Sequence, residues 1–211
     1  MRPPHQSATR RYMLAFAAGT WPSMLPLAAR AATPAQPFSI DLPPDFVVLK
    51  APTASSYASR TSLGGIIFVA GDYRNTIATT GGATTISIQL LDRAPAPAAT
   101  TELADALASV RDASSGLPVK GATLVLTDTL RRVGEGGSSF EMLTPLIAGD
   151  PRSTTPDLVR HTLVRTLPFA PAGSSGLLVL WAGARESDWR SGAGDALRAA
   201  AETLVVRPSF H

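Results

Sequence analysis

The chain has 211 residues, 19 Lys+Arg against 16 Asp+Glu, 45% hydrophobic residues and no cysteine. The missing thiol excludes a disulfide framework, a thiolate zinc site, a redox cysteine pair and a cysteine nucleophile. The sequence pI of 9.8 invites a nucleic-acid reading, but the excess base sits at one end of the chain.

That end, residues 7–31, has the pattern of a twin-arginine export signal. Arg10 and Arg11 are followed by a moderately apolar stretch from Met13 to Ala29, and Ala29-Arg30-Ala31 puts small side chains at the two positions a signal peptidase reads. Gly19, Pro22 and Pro26 interrupt the stretch, and Arg30 ends it short of the ~20 apolar residues a spanning helix needs. Cleavage after Ala31 would remove Arg2, Arg10, Arg11 and Arg30, leaving 15 basic residues against 16 acidic ones. A near-neutral mature chain gives no reason to expect nucleic-acid binding.

Residues 32–37 read as a flexible leader, and a domain is expected over residues 38–206. Phe38 to Leu42 alternates apolar and polar until Pro43-Pro44, and Phe46 to Leu49 resumes as a second extended piece. Ser55 to Ser62 reads as a loop, Ile66 to Val69 as a strand, and Gly71-Asp72 and Gly81-Gly82 as turns. Thr84 to Leu91 is the clearest strand, with Ile86, Ile88 and Leu90 on one face and Thr85, Ser87 and Gln89 on the other.

After an Ala/Pro spacer, Thr100 to Arg111 fits a helix with Leu103, Leu107 and Val110 on one side. Ala122 to Val133 and Phe140 to Ile147 read as a hairpin around Gly134-Glu135-Gly136-Gly137, and Gly149 to Pro156 as a loop. Leu158 to Leu167 is a strand on which Val159, His161 and Leu163 share a face, and Pro168 to Gly176 is a loop. Leu177 to Trp181 is uniformly apolar, as a strand buried on both faces should be.

Ser187 or Asp188 is placed to cap a last helix. Its stripe is Trp189, Ala193, Leu197, Ala200 and Leu204, and Gly192 and Gly194 weaken its first turns. Val205-Val206 reads as an exit strand. Consecutive strands on short loops pair antiparallel, and two helices can cover the two faces of the buried strand. The expected fold class is therefore α+β: an α/β/α sandwich around a mostly antiparallel sheet.

Two stretches carry a family resemblance. FSIDLPPDF, from Phe38, is similar to the F-x-[LIV]-x-x-P-x-x-[WF] opening of the PsbP family of extrinsic thylakoid-lumen proteins. The stretch from Leu177 to Val206 resembles that family's closing strand, polar turn, aromatic and Ala-rich helix, with Trp189 as the aromatic. The resemblance implies a Mog1/PsbP-type fold and a non-enzymatic protein that docks on photosystem II, with its oxygen-evolving complex, or on a related photosynthetic complex. It implies the chloroplast thylakoid lumen. Only nine residues precede Arg10, fewer than a plastid transit peptide needs: either the chain is shortened at its start, or import works differently, or the address is a bacterial periplasm. The alternative function is a soluble lumenal or periplasmic small-molecule- or metal-binding protein.

In some PsbP proteins a histidine and an acidic residue at matching motif positions bind metal. Here these are His161 and Glu186, with Asp188 as an extra oxygen. An imidazole and a carboxylate suit zinc or manganese, and calcium is the ion tied to oxygen evolution; no cofactor is required. From the residues themselves, His161 also reads as a satisfied strand histidine. No P-loop, nucleophile elbow or dinucleotide fingerprint is present. Arg131, Arg132, Arg160, Arg165, Arg185 and Arg190 fall at strand ends and in the terminal loop. They read as a solvated surface or, more sharply, as a docking face for an anionic partner. Trp181 and Trp189 read as core.

Overall fold

The structure, a computed structural model, describes residues 38–53, 65–72, 83–91, 102–107, 124–134, 136–146, 158–169 and 176–207. The predicted signal with Ala29 and Ala31, the leader, and the loops at 55–62 and 149–156 lie outside these residues.

The strands are β1 (Phe38–Ser39), β2 (Val47–Lys50), β3 (Gly65–Asp72), β4 (Thr84–Leu91), β5 (Leu124–Val133), β6 (Gly137–Pro145), β7 (Val159–Phe169), β8 (Gly176–Arg185) and β9 (Val205–Val206). Seven form one sheet in the order β2-β3-β4-β8-β7-β6-β5, and β1 pairs with β9 apart from it. Every pairing is antiparallel. Residues 102–107 are the described part of helix α1. After β8 come a single turn, α2 (Glu186–Asp188), a widened turn at Trp189–Ala193, and α3 (Gly194–Glu202).

The uniformly apolar run predicted as a central strand lies in β8, the fourth of seven, and it divides the core. Leu178, Leu180, Ala182 and Ala184 pack with Ile86, Ile88, Leu163 and the α3 residues Leu197, Ala200 and Ala201. Leu177, Val179 and Trp181 point the other way, into Leu91, Phe140, Met142, Val164 and the α1 residues Ala104 and Leu107. Alternation along a strand thus assigns one helix to each face, which gives the expected sandwich. Two polar residues of β4, Ser87 and Gln89, are buried as well, and Trp181 Nε1–H donates to Gln89 Oε1 at 3.0 Å.

Three local expectations change. Gly71 and Asp72 end β3, opposite Thr85 and Thr84, instead of turning. Pro168 extends β7 opposite Leu177 and does not open a loop. α2 begins on Arg185 and α3 on Ala193, both without a side-chain cap, and neither Ser187 nor Asp188 serves as one. The hairpin glycines behave as read: Gly134 and Gly136 have φ of 58° and 75°, a region side chains disfavour.

A candidate functional site: a buried histidine between two carboxylates

His161 lies on β7, on the face turned to α3. It is 6% exposed, and the neighbouring Glu141 and Glu186 are 7% exposed each. Its Nδ1 is 2.6 Å from Glu186 Oε2 and its Nε2 is 2.7 Å from Glu141 Oε2. Arg198 Nε donates to Glu141 Oε1 at 2.8 Å, and Arg190 Nε donates to Glu186 Oε1 at 2.7 Å. The contacts therefore run Arg198–Glu141–His161–Glu186–Arg190, from a half-exposed guanidinium through the core to an exposed one.

Each member is fixed by the backbone around it. Glu141 stands opposite Leu163 on β7, where the side chain shares the face of His161. Its N–H donates to Thr129 Oγ1 at 2.7 Å, because β5 bulges between Leu126 and Arg131 and the threonine hydroxyl replaces the missing ladder carbonyl. Glu186 is delivered by the turn that ends β8. Trp189 then stacks on the imidazole, with centroids 4.0 Å apart and planes 4° from parallel. Arg198 Cζ sits 5.0 Å from the Trp189 ring, within cation–π range.

Burial pushes the Glu141 carboxyl up, but the hydrogen bonds from His161 and Arg198 outweigh it and hold the group at about 2. Arg198 is pushed above its ordinary range, chiefly by its hydrogen bond to Glu141. Burial lowers Arg165, which the charge of Glu202 opposes.

The structure thus brings His161 and Glu186 together. It adds Glu141 and Arg198, which sequence reasoning missed. A clue was present: an acid between Phe140 and Met142, on a strand paired on both sides, has to find a cation. Asp188 is exposed and makes no part of this chain of contacts. The metal expectation meets a geometric obstacle. A tetrahedral zinc with bonds of about 2.0 Å would hold its donor atoms about 3.3 Å apart, whereas His161 Nδ1 and Glu186 Oε2 are 2.6 Å apart. That is the separation of a shared proton, and both ring nitrogens are engaged in this way. Among the described residues no group of three or more His, Cys, Asp or Glu could hold a metal ion.

The six arginines separate by burial. Arg131, Arg132 and Arg190 are exposed, while Arg160, Arg165 and Arg185 are half-buried and do not form a solvated surface. Arg160 is turned inward: NH1 donates to Ala83 O at 3.0 Å, and NH2 donates to Thr85 Oγ1 at 2.6 Å and Gly183 O at 2.8 Å. Trp181 and Trp189 are both buried. No described helix is long and apolar enough to cross a membrane.

No protein-family model matches the chain, and no curated protein matches it. Three solved structures are similar at low identity. LpqN of Mycobacterium tuberculosis, involved in cell envelope biogenesis, is 14% identical over 84% of this chain and 88% of its own, with a TM-score of 0.47. The cyanobacterial PsbP (CyanoP) of Synechocystis sp. PCC 6803 is 13% identical over 86% of this chain and 99% of its own, with a TM-score of 0.47. The Ran-binding protein Mog1p of Saccharomyces cerevisiae is 10% identical over 81% of this chain and 90% of its own, with a TM-score of 0.46.

Proposed function

We propose that this is an exported, non-enzymatic protein of the PsbP type that works by docking its surface on a membrane complex. Photosystem II or a related photosynthetic complex is the partner that the two end motifs imply. The observation that carries the reading is the end of edge strand β5. Arg131 and Arg132 are both exposed there and, among the described residues, neither forms an ion pair. They sit beside the Gly134 turn, and alternation sends them to opposite faces. Arg131 NH1 donates to Asp128 O at 2.6 Å and to Leu130 O at 2.9 Å, which keeps that guanidinium against its own strand. Such charges steer association with an anionic surface and lose their grip as salt screens them.

The chemistry of His161 supports the same reading. Both of its ring nitrogens are already engaged by carboxylates of the chain itself, so neither is open to a substrate. Its work is to hold the terminal helix on the sheet.

Fractionation of the native cells tests this. The protein should sediment with the photosynthetic membranes and be released by a high-salt wash, and Arg131→Gln with Arg132→Gln should abolish the sedimentation without lowering the Tm. A protein found wholly soluble at low salt, carrying a stoichiometric small molecule or a calcium, manganese or zinc ion, would instead be the lumenal or periplasmic binding protein of the alternative reading.

A further inference from the structure

We draw no further inference here: the strongest candidate, the exposed apolar run of Val47, Val48 and Leu49 on edge strand β2, carries nothing because nothing in the structure shows what covers it.

Discussion

Glu141 is the residue on which the buried network turns. It accepts from His161 on one side and from both Arg198 Nε and NH2, at 2.8 and 3.1 Å, on the other. Removing one partner from a buried ion pair leaves the other charge uncompensated, at a cost of about 3–5 kcal/mol. Glu141→Gln should therefore lower unfolding free energy by that amount in urea. The same residue sets an acid limit. Its carboxyl is held at about 2 in the fold against an ordinary 4.5, so between those values the unfolded chain binds a proton that the folded chain excludes. The stabilisation is fully present above the unfolded value and is lost as pH falls through the folded one. At about 1.4 kcal/mol per pH unit its size is on the order of 3 kcal/mol. Wild type should lose stability across that window, and Glu141→Gln should show a flatter profile. Parallel profiles would mean that Glu141 is not the ionised centre of the network.

At the scale of elements, the terminal helix makes clear what periodicity could and could not reveal. The stripe Trp189, Ala193, Leu197, Ala200 and Leu204 was legible; Ala193 is half-buried and the other four are buried. So were the strand at Thr84–Leu91, the twice-covered β8 and the exit strand, because hydrophobic pattern alone dictates them. The break inside the helix was not legible. Gly192 and Gly194 counted as weak helix formers, yet each has a task. Gly192 takes φ of 117° and turns the chain between α2 and α3. Gly194 gives the indole of Trp189 a place to lie: a Cβ there would meet ring atoms at 2.8 Å. The pairing of Glu141 with Arg198 was hidden for a related reason, since it joins residues on different elements with no local spacing to betray it. The two glycines predict opposite mechanisms for one substitution. Gly194→Ala has helix propensity in its favour by about 1 kcal/mol but overpacks against a rigid ring, and the net should be a loss of about 1–3 kcal/mol. It should also weaken the stacking, read as a change in near-UV circular dichroism. Gly192→Ala meets nothing within 4 Å, so it should lose about 1–3 kcal/mol through the backbone alone and leave the Trp189 signal intact.

Across the whole molecule, the two ends of the domain are tied together outside the main sheet. Phe38 pairs with Val206 and Ser39 with Val205, and the Asp41 N–H donates to Thr203 Oγ1 at 2.8 Å. Phe38 is 2% exposed and meets Phe68 of β3 edge-on, with centroids 5.9 Å apart. A strap of two-residue strands contributes little through its own hydrogen bonds. Its strength comes from that one aromatic side chain, which enters the same core as Leu197 and Leu204 of the C-terminal segment. Folding of the first described strand therefore depends on the last, and the pair should open with the whole core instead of fraying alone. Phe38→Ala should lower global stability by about 3–5 kcal/mol, like a substitution in the middle of the core. Val205→Ala, whose side chain on the same strap is 55% exposed, should change it by less than about 0.5 kcal/mol. Native-state hydrogen exchange adds the decisive reading. In wild type the amides of the β1–β9 ladder should exchange with the same free energy as those of β8. If they exchange far faster while β8 stays protected, the strap is a local attachment, and the domain core begins at β3.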